Sequence, residues 1–164
     1  MLATLKNVLL IDDYCDTYSS HLEKPAQAAR FNLFASDNVL EGLEFLEEFK
    51  EALDAVILDL SFPTGEMQGM EALKKIKEKH PYLPVIMLTD SDTDADIKKV
   101  VSCMKKGAYD YVGKRTLNPV YLFQLLENAI QQNRKLAYAK NQKTSTSEEI
   151  FTLIQDFNFY GYKK

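Results

Sequence analysis

The chain has 164 residues, the size of one ordinary domain, and its hydrophobic content of 46% argues against a disordered protein. A net charge of −4 without any basic stripe argues against nucleic-acid binding. The sequence shows neither a signal peptide nor an apolar stretch of membrane-spanning length, so we expect a cytoplasmic protein without membrane contact. Cys15 and Cys103 form no paired motif, which favours free thiols over a disulfide or a zinc site.

Short apolar runs alternate with helical patterns along most of the chain. Runs such as Val8-Leu9-Leu10-Ile11 are continuous, as is typical of strands that are covered on both faces. Strands are predicted over residues 8–11, 31–35, 55–58, 85–88 and 108–112. Helices are predicted over residues 14–29, 38–50, 70–79, 97–106 and 120–139. This alternation predicts an α/β fold, a doubly wound sheet of five parallel strands joined by right-handed crossovers.

Glycine and proline mark several of the predicted helix ends. Pro25 falls inside the first helix and should kink or split it. Gly107 follows the fourth helix at the place of a C-cap, and Asn118-Pro119 is a favourable start for the fifth.

The last part of the chain has a different composition. Residues 141–147 are polar and predict a linker, so we divide the chain into a domain over residues 1–140 and a linker, short helix and tail over residues 141–164. A capping box of Thr146 and Glu149 precedes an apolar helical face. That face consists of Ile150, Leu153, Ile154 and Phe157. Two alternatives stay open: the tail docks on its own domain or on a second copy in a homodimer, or it is the truncated start of an output region.

Polar side chains follow four of the five predicted strands. Asp12 and Asp13 follow the first strand, Asp59 the third and Thr89 the fourth, while Lys114 lies just beyond the fifth. Ligands of an open parallel sheet bind at the carboxyl ends of its strands. We therefore expect three carboxylates, one hydroxyl and one ammonium to converge on a single crevice.

Three carboxylates in one crevice repel one another unless a cation neutralises them. Oxygen ligands with open positions suit Mg²⁺, which binds through one or two carboxylates together with a phosphate. We interpret Asp59 as a nucleophile that forms an acyl phosphate, while Mg²⁺ and Lys114 screen the phosphoryl oxygens and Thr89 donates a hydrogen bond to one of them. A small hydrolase that uses Asp59 is an alternative, against which stand the lack of a cap domain and of evident substrate-pocket residues.

These residues and their neighbours resemble the response regulator receiver domain of two-component signal transduction, over roughly residues 5–138. The motifs are Ile11-Asp12-Asp13, Leu58-Asp59-Leu60, Leu88-Thr89 and Gly107-Ala108-Tyr109-Asp110-Tyr111-Val112-Gly113-Lys114. Each motif is weak alone, but the four in order, each at a strand end, are specific. The resemblance implies a flavodoxin-like receiver fold with the strand order 2-1-3-4-5.

The resemblance also implies a phosphorylation site and a set of metal ligands. Asp59 would receive the phosphoryl group, and Asp13 and Asp59 would bind Mg²⁺ directly. Asp12 would act partly through water, and the backbone carbonyl of Ser61 would complete the set.

Signalling partners are implied in the same way. Thr89 and Tyr111 would form the switch pair, in which the hydroxyl moves to the phosphoryl group and the aromatic ring turns inward. The phosphodonor would be a sensor histidine kinase or a histidine phosphotransfer protein. A conformational change at the fourth helix, fifth strand and fifth helix would then reach a downstream protein target or an output domain. The only chemistry expected of the domain is its own phosphorylation and dephosphorylation.

Four features depart from the family pattern. The segment from Thr89 to Tyr111 is about three residues longer than usual. The segment Phe62-Pro63-Thr64-Gly65-Glu66-Met67-Gln68-Gly69 is about three residues longer than the usual Met-Pro-x-Met-Asp-Gly. Asp90 stands where a small residue is usual, and its charge should oppose a phosphoryl group unless the side chain points away. Arg115 stands where a proline after a cis bond is usual; since a cis bond before another residue costs about 3 kcal/mol, we predict a trans Lys114–Arg115 bond or a rearranged loop. The longer loop and Asp90 motivate a second alternative, a phosphorylation-independent scaffold with the receiver fold.

Overall fold

The structure, a computed structural model, describes residues 5–63, 67–90 and 94–160, with the side chains of all but 94–96 and 143–160. Five strands alternate with five helices. The strands are β1 (Lys6–Ile11), β2 (Phe31–Ser36), β3 (Ala55–Asp59), β4 (Val85–Thr89) and β5 (Asp110–Gly113). The helices are α1 (Cys15–Ala28), α2 (Val39–Phe49), α3 (Gly69–Lys79), α4 (Asp94–Lys105) and α5 (Pro119–Tyr160), with a short 3₁₀ helix at Lys114–Thr116.

The strands form one parallel sheet in the order β2-β1-β3-β4-β5, which confirms the predicted doubly wound fold. Alternate residues of a strand face opposite sides of the sheet. In β1, Val8 and Leu10 join the core against α1 and α5, whereas Leu9 and Ile11 join the core against α2 and α3. Because both faces are covered, β3 and β4 are buried along their whole length, and polar side chains collect at their carboxyl ends.

Several predicted helix signals are confirmed. Gly107 follows α4 with a φ of 97°, a left-handed conformation that glycine adopts without strain. Asn118 caps α5, since its side-chain oxygen accepts hydrogen bonds from the backbone N–H groups of Val120 and Tyr121 at 3.0 and 3.2 Å. Cys15 and Cys103 are both buried free thiols, as expected.

The expected split of the first helix does not occur. Helix α1 continues through Pro25 to Ala28, and the N–H of Ala29 donates to the carbonyl of Pro25 at 3.0 Å. Proline lacks an N–H, but Pro25 lies in the last turn, where little of the helix remains to be disturbed.

Helix α5 also continues through residues 141–147, where a linker was expected. These residues are polar but include neither glycine nor proline, so nothing in them forces a growing helix to stop. The division of the chain at residue 140 stays a prediction, as do the contacts of the tail, because side chains from 143 onward lie outside the described residues. Among the described helices, none has an apolar stretch long enough to cross a membrane.

Candidate functional site

The register of the sheet brings the polar strand ends together. Ile11 of β1 pairs with Leu58 of β3, so Asp12 and Asp59 follow on neighbouring strands. Thr89 of β4 pairs with Gly113 of β5, and Lys114 is the next residue. The expected convergence on one crevice therefore follows directly from strand pairing.

Lys114 lies between two carboxylates at the centre of the crevice. Its Nζ is 2.8 Å from Asp59 Oδ2 and 2.9 Å from Asp12 Oδ2. All three side chains are almost completely buried, with exposed fractions of 4% for Lys114, 4% for Asp59 and none for Asp12. One ammonium thus faces two carboxylates that have little contact with solvent.

The two oxygens of Asp12 have different surroundings. Oδ1 accepts a hydrogen bond from the backbone N–H of Tyr14 at 2.9 Å, which orients the carboxylate at the start of α1. Oδ2 is buried and, despite its short distance to Lys114, receives no well-aligned hydrogen bond from the described residues. Buried carboxylate oxygens are normally satisfied, so this oxygen has capacity for a further ligand.

Asp13 completes a group of three carboxylates. One oxygen each from Asp12, Asp13 and Asp59 lie within 4.8 Å of one another, the spacing of ligands around a single ion. Hard oxygen donors and a surplus of carboxylates over the Lys114 ammonium both fit a magnesium ion. The residues present therefore fit the cation that the sequence predicts.

The crevice changes the proton affinity of its own groups. Burial raises the pKa of Asp59 from 3.8 to about 6, and the nearby charge of Asp12 adds to this; Lys114 opposes it. For Lys114, burial lowers the pKa, but the carboxylates of Asp59 and Asp12 outweigh it and raise the pKa above its usual value. At neutral pH Lys114 is charged and Asp59 is mostly ionised, ready to accept a cation.

The remaining predicted site residues lie around this centre. Thr89 is 4% exposed at the end of β4, and the N–H of Ser61 points to Asp59 Oδ1 at 3.3 Å. Tyr111 on β5 is 49% exposed. Asp90 is exposed, but its charge still helps to raise the pKa of Tyr18, so the expected effect of Asp90 on a phosphoryl group stays a prediction. The roles of all four residues stay predictions.

The Lys114–Arg115 bond is trans, as predicted, since the described residues contain no cis peptide bond. Lys114 opens the short 3₁₀ helix, and Gly113 before it has an extended backbone with φ −72° and ψ 128°. Lys114 therefore reaches both carboxylates without the proline that is usual after it.

Two residues near the site were not anticipated from the sequence. The Lys114 ammonium lies over the ring of Tyr18 from α1, 5.2 Å from its centre. Gln68 bonds to the loop that follows Asp59. No sequence motif marks Tyr18, but Gln68 could have been noticed, because it stands where the usual pattern has aspartate.

Comparison with known proteins agrees with this geometry. The family model of the response regulator receiver domain matches residues 8–127. The chain therefore belongs to the response regulator receiver family of two-component systems.

Individual relatives show how much is shared. A putative NtrX-like response regulator of Rickettsia bellii is 33% identical over 111 residues, which are 68% of this chain and 22% of that protein. A cyclic di-GMP phosphodiesterase of Thermotoga maritima is 27% identical over 161 residues, 93% of this chain and 41% of that protein. The structure of a receiver domain protein from Clostridium thermocellum, 28% identical, superposes with a TM-score of 0.70 and covers 80% of this chain and 99% of that chain. The chain thus spans less than half of either curated relative.

Proposed function

We propose that the domain accepts a phosphoryl group on Asp59 in a Mg²⁺-dependent reaction and signals through the resulting change in shape. The observation that carries the proposal is the position of Lys114 Nζ, 2.8 Å from Asp59 Oδ2 within a group of three carboxylates. An ammonium and a cation site beside one buried carboxylate neutralise the charge that gathers on a transferring phosphoryl group.

In the proposed reaction, a carboxylate oxygen of Asp59 attacks phosphorus and forms an O–P bond. The bond from phosphorus to the donor's histidine nitrogen breaks, and the nitrogen keeps the electron pair and is protonated from solvent. Lys114, whose Nζ is 2.8 Å from Asp59 Oδ2, would pair with a phosphoryl oxygen, and Thr89 would donate a hydrogen bond to another. Asp59 attacks as the anion, which its pKa of about 6 permits at neutral pH.

Mg²⁺ would be held by Asp13, Asp59 and the backbone carbonyl of Ser61, with Asp12 acting partly through water. When bound, it supplies positive charge to the phosphoryl oxygens and offsets the surplus of carboxylates in the crevice.

The proposed output is a rearrangement around Thr89 and Tyr111. Tyr111 is exposed, and α4 and α5 also carry exposed apolar side chains, a composition suited to partner binding. These side chains are Ile97, Val101, Met104, Val120 and Tyr121. The partners would be a sensor histidine kinase or histidine phosphotransfer protein upstream, and a protein target or output domain downstream, while the domain itself turns over no external substrate.

Acetyl phosphate tests the proposal directly. Wild-type protein is treated with and without Mg²⁺ and weighed intact, beside Asp59→Asn and the control Asp54→Asn, which makes the same change at the opposite end of the sheet. We expect a mass gain of one phosphoryl group that requires Mg²⁺, disappears in Asp59→Asn and persists in Asp54→Asn.

The alternatives give different results. Folded wild-type protein that never gains mass would favour the phosphorylation-independent scaffold. Sustained release of phosphate from p-nitrophenyl phosphate would instead favour the hydrolase. The complete set of Asp12, Asp59 and Lys114 at ion-pair distance supports the phosphoacceptor over the scaffold.

A further inference from the structure

We propose that Gln68 is a positioning residue for the reaction at Asp59. Its side-chain amide holds the backbone of Phe62 and thereby fixes the Ser61 peptide, whose carbonyl is expected to bind the metal. This inference rests on the proposed function and extends it to a residue outside the crevice.

The side chain of Gln68 bonds to both polar groups of one residue. The backbone N–H of Phe62 donates to Gln68 Oε1 at 3.1 Å, and Gln68 Nε2 donates to the carbonyl of Phe62 at 3.0 Å. Nε2 also reaches the carbonyl of Pro63 at 3.5 Å. A primary amide that pairs with N–H and C=O of one residue does what a neighbouring strand does in a sheet.

The backbone needs such a partner here because the sheet ends just before it. Leu60 N–H still donates to the carbonyl of Leu88 on β4 at 2.9 Å, and Ser61 N–H turns to Asp59 Oδ1 at 3.3 Å. Phe62 is 7% exposed, and its backbone pairs with no other backbone group of the described chain. Gln68 therefore supplies the bonds that the sheet no longer offers.

Gln68 itself is firmly placed. The next residue, Gly69, packs so tightly on the backbone of Asp59 that a Cβ there would lie 1.9 Å from the Asp59 carbonyl oxygen. Leu60 and Phe62 are anchored in the core beside the partly buried Met67. The two ends of the segment are thus held together on both sides of residues 64–66, which lie outside the described residues.

Gln68 stands at a position where a side chain could cap helix α3. It is the N-cap residue of α3, with an extended backbone of φ −81° and ψ 154°, but its side chain makes no capping bond. Aspartate, the residue of the usual pattern, is a good N-cap but is shorter and has no N–H to donate. Gln68→Asp should therefore improve the cap of α3 while breaking the bonds to Phe62.

The variants Gln68→Ala and Gln68→Asp separate positioning from stability. Gln131→Ala is the control, because Gln131 bonds only to Glu127 on its own helix in the described contacts. Mn²⁺ binding is measured from the electron paramagnetic resonance signal of the free ion, phosphorylation by acetyl phosphate from intact mass, and unfolding by heat. Hydrogen exchange of the Phe62 amide reports directly on the hydrogen bond between this amide and the Gln68 side chain.

We expect both Gln68 variants to bind Mn²⁺ about tenfold more weakly than wild type, as is usual when a group that orients a metal ligand is lost. Phosphorylation by acetyl phosphate should be about tenfold slower for the same reason. Exchange of the Phe62 amide should become faster in both, and Gln68→Asp should keep or raise the melting temperature. Gln131→Ala should match wild type.

Gln68→Asp with wild-type Mn²⁺ affinity and phosphorylation rate would overturn the role of Gln68, as would a loss seen only in the melting temperature. Wild-type protein that neither binds Mn²⁺ nor gains a phosphoryl group would overturn the proposed function, and this role with it. The two failures are therefore distinguishable.

Discussion

Both ends of the sheet carry polar side chains, but these are buried only where the strands finish, and the two ends differ in how the polar groups are paired. Where the strands begin, Asp54 accepts a hydrogen bond from the N–H of Asn7 at 2.8 Å and forms an ion pair with Arg134. The side chain of Asn7 donates to the carbonyl of Ala52 at 2.9 Å. Lys77 donates to two backbone carbonyls, at 2.7 and 3.2 Å. Each of these polar groups thus has a partner among the described residues.

At the end where the strands finish, the carboxylates outnumber the cationic groups that pair with them. Asp12, Asp13 and Asp59 face a single ammonium, and Asp12 Oδ2 lacks a well-aligned hydrogen bond. The raised pKa of Asp59 has the same origin, since burial and a neighbouring carboxylate disfavour its charge. Paired polar groups indicate structure, whereas buried charge left in surplus indicates a site that a ligand completes.

The largest expected difference concerns the lysines of the two ends. Lys114→Met leaves two buried carboxylates without their ammonium and should lower the free energy of unfolding by about 3 kcal/mol at pH 7 without Mg²⁺. Lys77→Met removes hydrogen bonds to two carbonyls but also a partly buried charge, whose pKa burial lowers to about 8. Because these effects oppose each other, it should change the free energy of unfolding by about 1 kcal/mol or less. Urea unfolding measures both. Equal losses in the two variants would show that the ends do not differ in charge balance.

The next comparison uses the two aspartates and has a pH signature. Because the pKa of Asp59 is raised from 3.8 to about 6 in the folded protein, the folded state binds more protons than the unfolded state between about pH 4 and pH 6. The contribution of Asp59 to the free energy of unfolding therefore falls as the pH rises through that window, by up to about 3 kcal/mol. Asp59→Asn should remove the loss and exceed wild-type stability at pH 7 but not below pH 4, in metal-free buffer.

Asp54→Asn should change the free energy of unfolding at pH 7 in the direction opposite to Asp59→Asn. It removes one charge of the ion pair with Arg134 and should lower the free energy of unfolding by about 0.5–1 kcal/mol at pH 7. Unfolding in urea at pH 4 and pH 7 measures both variants. An Asp59→Asn protein less stable than wild type at pH 7 would contradict the surplus of negative charge.

The smallest expected effect concerns the aromatic rings beside two lysines. Tyr18→Leu removes the ring 5.2 Å from the buried Lys114 ammonium and should slow phosphorylation by acetyl phosphate about fivefold, whereas Tyr18→Phe should keep the rate. At the other end Tyr82 lies 5.6 Å from the exposed Lys140, and Tyr82→Leu should leave the rate unchanged. A rate lowered equally by Tyr18→Phe would assign the effect to the hydroxyl and not to the ring.

Much of the fold could be read from local patterns. Continuous apolar runs predicted β3 and β4, and each of these strands ends at the expected polar residue, Asp59 and Thr89. Gly107 and Asn118 were correctly read as helix-end signals because their effect is local. The predictions at Pro25 and at residues 141–147 were wrong because residues with low helix propensity were taken to end a helix. In the structure, α1 continues through Pro25 and α5 continues through residues 141–147.

The sequence by itself determined the alternation of strands and helices and which side chains stand at the strand ends, since both depend on residue order and on the periods of strands and helices. Only the tertiary structure decided that Lys114 pairs with both Asp12 and Asp59, that Tyr18 lies against Lys114 and that Gln68 holds Phe62. These features depend on distances, burial and orientation between separate elements, which no local pattern in the chain encodes.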